Sequence, residues 1–261
     1  MPTELQSPLE PPLWRTPGGA EIVLEHVSRT YRGRRGNDVQ ALADVSLRAG
    51  AGELVAIVGP SGCGKSTLLE LLCGLQSPDS GSIVCPPAVL MPQRDLLLAW
   101  LSALDNAALA LRIAGLSRAQ AREQARALFV ELGLDGFQEA RPQELSGGMR
   151  QRVAFLRTLL AGKPVLCLDE PFGALDAITR CEMQEWLART LAREPRTVVL
   201  VTHDVEEAIL LADRVTVLSP RPGRVAAQLE VEIARPRLRT DPEVIALRER
   251  ALAALGMCAG R

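Results

Sequence analysis

The amino-acid sequence predicts an α/β fold with a mixed central sheet, an antiparallel β subdomain and an inserted α-helical subdomain. An apolar run at residues 54–58 precedes a glycine-rich stretch and then a helical pattern, which is the order strand, turn, helix. Two more apolar runs without alternation, residues 165–168 and 197–201, are typical of strands buried on both faces of a parallel sheet. Residues 97–137 are rich in Ala, Leu, Arg and Glu, which predicts helices between these strands.

Composition excludes several functional classes. The chain has 261 residues, a 47% hydrophobic fraction and a net charge of −1, so we expect a globular core and no overall basic field for a nucleic-acid partner. Apolar stretches such as residues 96–104 fall short of the roughly 20 residues of a membrane span. Residues 1–20 are rich in Pro and Gly and lack the pattern of a signal peptide, which predicts a flexible N-terminal lead.

The first part of the chain predicts antiparallel strands. Residues 21–27 and 43–47 alternate between polar and apolar side chains, which indicates half-buried strands. Tyr31 lies between these two runs. Its ring could stack on a purine, or it could be an exposed loop tyrosine, and its position alone favours neither interpretation.

The glycine-rich stretch predicts a phosphate-binding loop. Glycines allow backbone N–H groups to converge, and the following helix start adds unpaired donors and partial positive charge. Lys65 can reach the outer phosphates of a nucleotide, and the Ser66 hydroxyl can bind the Mg²⁺ that accompanies it. The loop consists of Gly59, Pro60, Ser61, Gly62, Cys63, Gly64, Lys65, Ser66 and Thr67.

A second helix start also has exposed donors. Ser146 is a good N-cap, and Gly147 and Gly148 leave bare N–H groups before a helix predicted at residues 152–160. This arrangement fits an anion-binding helix end or an ordinary helix cap.

Polar residues follow several predicted strands. Gln93 follows the short run 88–91, and Asp169 and Glu170 end the apolar run 165–168. His203 follows the run 197–201. Because ligands bind at the carboxyl ends of strands in open α/β sheets, we expect these side chains to converge with Gly59. Adjacent carboxylates at a strand end indicate a metal site, with a structural salt-bridge pair as the alternative.

The C-terminal part predicts one more core strand at residues 214–218, a short β extension and a helix near residues 244–255. We therefore expect a nucleotide-binding domain at residues 21–230, with a helical subdomain at about residues 95–160, and a C-terminal extension at residues 231–261.

Taken together and in this order, six motifs resemble the ATP-binding cassette (ABC) family: GPSGCGKST, MPQ, LSGGMRQR, VLCLDEP, GALD and VTHD. The resemblance implies that ATP and Mg²⁺ are the cofactors and that the chain is an ATPase. It further implies that Tyr31 stacks on adenine, that residues 59–67 hold the phosphates, and that Asp176 of GALD belongs to the nucleotide site. By the same resemblance Lys65 and Gln93 have catalytic as well as binding roles, Glu170 is the general base and His203 contacts the γ-phosphate. Mg²⁺ is then arranged by Ser66, Gln93 and Asp169.

The resemblance also implies an assembly. In this family LSGGMRQR, with Ser146, Gly147 and Gly148, caps the γ-phosphate bound by a second cassette, so a homodimer is expected. Gln93 and the helical insert then contact two transmembrane permease subunits, which work with a periplasmic or lipid-anchored solute-binding protein.

Further segments resemble a subgroup of the family. ALDAITR, VTHDVEEAILLADRV and LSPRPGRV are similar to importer ATPases for nitrate, sulfonate and taurine. MPQRDLLLAW resembles members assigned to pyrimidine precursors of thiamine, although Ala99 stands where a proline is common. We expect a bacterial importer ATPase at the cytoplasmic face of the inner membrane. The alternative is a soluble ABC-type switch that remodels a protein or nucleic-acid complex.

Overall fold

The computed structural model describes residues 18–33, 37–193 and 195–256. Most of the predicted N-terminal lead, residues 1–17, lies outside the described residues, and so do residues 257–261 of the predicted C-terminal extension. No helix in the described ranges combines the length and the apolar composition that a membrane crossing requires.

A small antiparallel sheet precedes and flanks the phosphate loop. It consists of β1 (Ile22–Tyr31), β2 (Val39–Ala49) and β4 (Ser80–Val84) in the order β2-β1-β4. The β1 and β2 pairing shifts register at several points, and His26 and Asp44 there adopt positive φ values of 52° and 56°. The predicted antiparallel subdomain is present, and its two long strands extend beyond the alternating runs that predicted them.

A six-stranded sheet forms the centre of the molecule. Its strands are β3 (Leu54–Val58), β5 (Ala88–Met91), β6 (Val165–Asp169), β7 (Thr197–Thr202), β8 (Arg214–Leu218) and β9 (Val225–Glu230). Their order is β5-β6-β7-β3-β8-β9. All neighbouring pairs are parallel except β8 and β9, so the predicted mixed sheet is confirmed.

Helices cover this sheet and fill the interval between β5 and β6. The helices are α1 (Lys65–Leu72), α2 (Ala103–Ala107), α3 (Leu109–Ile113), α4 (Arg118–Glu131), α5 (Gly147–Leu159), α6 (Ala177–Arg193), α7 (Val205–Leu211) and α8 (Pro242–Ala254). Strand β3 separates two cores, because Leu54, Ala56 and Val58 face one and Val55 and Ile57 face the other. The loop at the end of β3 is therefore held between two packed layers.

Three local predictions need correction. The helical insert begins at Ala103 and not at Leu97, because the buried Asn106 side chain binds the backbone of Leu98 through both its oxygen and its nitrogen. Helix α5 begins at Gly147 and not at Arg152, since the Ser146 hydroxyl accepts a hydrogen bond from Met149 N. Tyr31 is the last residue of β1 rather than a residue between strands.

Candidate active site

The predicted phosphate-binding loop connects the end of β3 with the start of α1. Gly64 has a φ of 106°, and a Cβ at this position would lie 2.6 Å from Leu42 Cδ2. A Cβ at Gly59 would lie 2.8 Å from Cys63 Sγ. The loop thus requires glycine at both positions, at one for its backbone conformation and at both for close packing.

Lys65 is the first residue of α1 and its side chain is buried. Its ammonium donates hydrogen bonds to Gly59 O at 2.8 Å and Pro60 O at 3.1 Å. The cation is therefore held inside the curve of the loop, at the start of a helix whose first N–H groups have no partner within the helix. The local field of this concave surface favours an anion.

A cavity of about 340 Å³ opens above the loop. Ten of the residues predicted for the nucleotide or metal site line it, and they come from the end of β1, the phosphate loop, the start of α1 and the ends of β5 and β6. They are Tyr31, Ser61, Gly62, Gly64, Lys65, Ser66, Thr67, Gln93, Asp169 and Glu170. This arrangement is consistent with the sequence-based prediction that these residues lie together in one site.

Asp169 and Glu170 are adjacent but contact different partners. Asp169 ends β6 and hydrogen-bonds the Ser66 hydroxyl. Burial raises the pKa of the Asp169 carboxyl, and the negative charge of Glu170 adds to this effect, whereas the Ser66 hydrogen bond opposes it. Glu170 has a φ of 47°, so the chain turns sharply directly after Asp169.

Each oxygen of the Glu170 carboxylate has a polar neighbour. Gln93 Nε2 donates to Glu170 Oε2 at 2.8 Å, and His203 Nδ1 lies 3.3 Å from Glu170 Oε1. Gln93 follows β5 and His203 follows β7, which are the two strands on either side of β6. His203 does not line the cavity itself, but it contacts a residue that does.

The residues fit a magnesium ion that is bound together with a phosphorylated ligand. No group of three or more His, Cys, Asp or Glu side chains suited to a metal occurs among the residues described. A carboxylate and a hydroxyl, Asp169 and Ser66, nevertheless meet at the cavity wall. Mg²⁺ commonly takes one or two protein carboxylates and completes its shell with phosphate oxygens and water. Gln93 could add its amide oxygen, since its nitrogen is the atom that binds Glu170.

Tyr31 stands at the rim of the cavity. Its side chain is partly exposed, and its hydroxyl contacts Thr67 Oγ1 at 3.1 Å and accepts a hydrogen bond from Gln76 Nε2 at 2.7 Å. The guanidinium carbon of Arg29 lies 5.4 Å from the ring centroid. The ring is therefore held beside the phosphate loop at the rim of the cavity.

Four predicted nucleotide-site residues lie away from this cavity. Ser146 and Gly147 are exposed and Gly148 is half-buried at the start of α5. Asp176 is exposed and accepts hydrogen bonds from Ile178 N and Thr179 N, and these bonds lower the pKa of its carboxyl. A single copy of the chain does not bring these residues to its own phosphate loop.

Sequence reasoning missed three residues of the cavity wall, Val39, Ala41 and Arg221. The segment LSPRPGRV, which contains Arg221, carried only a resemblance and no site role. The sequence feature that could have indicated Arg221 is its place in a turn, between Pro220 and Pro222 and before Gly223.

Comparison with known proteins places this geometry in a family. The family model described as ABC transporter matches residues 42–173. A taurine import ATP-binding protein of Chromobacterium violaceum is 43% identical over 251 residues, which cover 90% of this chain and 95% of the relative. An aliphatic sulfonates import ATP-binding protein of Rhodococcus jostii is 46% identical, over 84% of this chain and 89% of the relative.

Solved structures of ATP-binding cassettes have a similar fold. The dimeric post-hydrolysis state of an ATP-binding cassette bound to ADP and Pi has a TM-score of 0.75 and 28% identity, over 82% of this chain and 100% of that chain. A dimeric bacterial ABC transporter cassette gives the same TM-score with 29% identity. The six motifs, the fold and the comparisons agree, and the chain belongs to the ABC transporter family.

Proposed function

We propose that this chain is the ATP-hydrolysing subunit of a bacterial importer for a small sulfonate such as taurine. The observation that carries the ATPase function is the cavity in which Lys65, Ser66, Asp169 and Glu170 meet at the phosphate loop. The solute class rests on the relatives, which are named for the import of taurine and of aliphatic sulfonates.

The phosphate loop binds and orients the nucleotide. Its N–H groups and the Lys65 ammonium surround the phosphates, and Lys65 exchanges its contacts with Gly59 O and Pro60 O for phosphate oxygens. Ser66 and Asp169, with Gln93, hold Mg²⁺, which supplies positive charge against the phosphate oxygens when it is bound. Tyr31 supports the adenine at the rim.

Glu170 removes the proton from the attacking water. Its carboxylate lies at the cavity wall, where Gln93 Nε2 donates a hydrogen bond to one oxygen and His203 Nδ1 lies 3.3 Å from the other. His203 is exposed and is free to contact the γ-phosphate from the same side.

Two copies of the chain complete each other's sites. Ser146, Gly147 and Gly148 are accessible at the N-terminus of the 13-residue helix α5 and do not reach the cavity of their own chain. Donors at a helix start bind anions, so these residues are suited to cap the γ-phosphate held by a second copy. Asp176 belongs to the same intermolecular surface.

The dimer works with permease subunits in the membrane. We assign residues 21–230 to the nucleotide-binding domain, within which the helical subdomain at about residues 95–160 and Gln93 contact the two permease subunits. A periplasmic or lipid-anchored solute-binding protein delivers the solute, and the ATPase lies at the cytoplasmic face of the inner membrane.

Reconstitution tests this function. The chain, the permease encoded by its neighbouring genes and the matching binding protein are placed in liposomes, and ATP hydrolysis and uptake of labelled taurine are measured. ATPase activity that depends on the permease and rises with the loaded binding protein supports the importer function. A chain that never associates with the permease, and whose ATPase activity the permease leaves unchanged, would favour the soluble switch. Uptake of nitrate or a pyrimidine in place of taurine would leave the importer function intact and refute the solute class.

A further inference from the structure

Arg221 is a cation that lines the phosphate cavity without belonging to the phosphate loop. It lies in the turn between β8 and β9, residues 219–224, and shares the cavity wall with Lys65 and Ser66. A Cβ built on Gly62 would lie 3.7 Å from Arg221 Nη2. The guanidinium therefore lies directly beside the glycine in the middle of the phosphate loop.

The turn that carries Arg221 is closed by its own hydrogen bonds. Ser219 N donates to Arg224 O at 2.9 Å, and Arg224 N donates to Ser219 Oγ at 3.1 Å. The Ser219 hydroxyl in turn donates to Pro222 O at 3.2 Å. Pro220 and Pro222 flank Arg221 and restrict its backbone further. The position from which the arginine side chain extends is thus fixed.

The same turn packs directly on the phosphate loop and on β2. Gly223 N donates to Ala41 O at 2.9 Å, and Ala43 N donates to Gly223 O at 3.0 Å. A Cβ on Gly223 would lie 2.1 Å from Cys63 O, so only glycine permits this approach. The turn and the phosphate loop form one packed unit, and the place of Arg221 beside Gly62 is a consequence of that packing.

The charged side chains of the cavity wall indicate what Arg221 can bind. Lys65 and Arg221 are the cations among the described residues that line the cavity, and Asp169 and Glu170 are its carboxylates. The Lys65 ammonium already has two carbonyl partners in the loop. Arg221 is exposed, and the part of the chain that the structure describes offers its side chain no hydrogen-bond or ion-pair partner. A free guanidinium at an anion-binding wall can bind phosphate oxygens with two parallel hydrogen bonds.

We propose that Arg221 binds the phosphate chain of the nucleotide held by its own subunit. This inference rests on the proposed function and adds a second cation, supplied from the β8–β9 turn, to Lys65 of the phosphate loop. An exposed arginine can also be merely solvated or can contact the second copy of the dimer, and the experiment separates these outcomes.

The test measures nucleotide affinity of the full chain. Dissociation constants for ADP and ATP are obtained by calorimetry at a protein concentration where the chain is monomeric, for Arg221→Gln, Arg221→Lys and Arg224→Gln. Arg224→Gln is the matched control, because Arg224 belongs to the same turn and carries the same charge but does not line the cavity. We expect Arg221→Gln to weaken ADP and ATP binding roughly tenfold, the size of one charge-assisted phosphate contact. Arg221→Lys retains part of the affinity as a point charge, and Arg224→Gln binds like the unmodified chain.

Two measurements distinguish a phosphate contact from damage to the turn: the salt dependence of the affinity and the comparison with Arg224→Gln. The affinity difference between Arg221→Gln and the unmodified chain must shrink as salt rises, because ions screen an exposed charge. A difference that persists unchanged at high salt would overturn the inference, as would equal affinities for Arg221→Gln and Arg224→Gln. Unchanged monomer affinities with a lost ATP-dependent dimer would assign Arg221 to the intermolecular surface instead. If the unmodified chain binds no ATP, the proposed function itself fails, and this result is distinct from a failure of the Arg221 assignment alone.

Discussion

Replacement of Glu170 by glutamine separates the effect of this residue on ATP hydrolysis from its effect on ATP binding. The two side chains have nearly the same shape, and the amide oxygen of the introduced glutamine can still accept the hydrogen bond that Gln93 Nε2 donates to Glu170 Oε2 at 2.8 Å. The amide cannot accept a proton from water, so the variant lacks the general base that we propose. A general base contributes about 10² to 10⁴ in rate, which raises the barrier by about 3 to 5 kcal/mol.

The structure also predicts what this variant retains. Glu170 lies at the wall of the proposed anion-binding cavity. Burial raises the pKa of Asp169 most, and the negative charge of Glu170 is the next cause that raises it. Loss of its negative charge removes repulsion toward phosphate, so the affinity for ATP should be no weaker than that of the unmodified chain. Phosphate release under single-turnover conditions gives the rate, and calorimetry gives the affinity. Glu182→Gln, on the exposed face of α6, is the control. Hydrolysis at the unmodified rate by Glu170→Gln would refute the assignment of the base.

The remaining predictions concern binding and stability. Lys65→Ala should abolish ATP binding in calorimetry, because it removes the buried cation of the loop, and retained affinity would contradict this role. Tyr31→Ala should weaken ATP but leave binding of inorganic triphosphate unchanged, and equal losses for both ligands would contradict adenine stacking. The hydrogen bond from Arg118, together with Arg122 and Ser102, lowers the pKa of buried Asp105 to about 2. Asp105→Asn should therefore lower the unfolding free energy by about 2 kcal/mol at pH 7 in urea titrations. In the unmodified chain, the stabilisation by ionised Asp105 is present above about pH 4 and is lost as the pH falls toward 2. An unchanged free energy at pH 7 would show that the ion pair contributes nothing.

The parts of the site that lie within one continuous segment were predictable from sequence. A strand, a glycine turn and a helix follow one another at residues 54–72, so the phosphate loop and its Lys65 needed no knowledge of distant contacts. Asp169 and Glu170 were equally visible, because a continuous apolar strand ends at them. The parallel arrangement then brings the ends of β5, β6 and β7 together, which accounts for the contact of Gln93 and His203 with Glu170.

Features that depend on contacts across the fold could not be read from local pattern. Arg221 reaches the phosphate loop only because Gly223 pairs with β2, a segment about 180 residues earlier in the chain. The late start of the helical insert follows from hydrogen bonds of one buried side chain, Asn106. Helix α5 begins at two glycines of low helix propensity, where the Ser146 cap outweighs that propensity. A role for Ser146 and Asp176 requires a second molecule.

The central claim is that each nucleotide site is completed by a second copy of the chain. Sedimentation of Glu170→Gln with ATP and Mg²⁺, compared with the double variant Glu170→Gln/Ser146→Arg, tests it most directly. The account predicts an ATP-dependent dimer for Glu170→Gln and a monomer for the double variant, whose monomeric affinity for ATP is unchanged because Ser146 lies outside its own cavity. A dimer that survives Ser146→Arg, or a loss of ATP affinity in the monomer, would contradict the shared site.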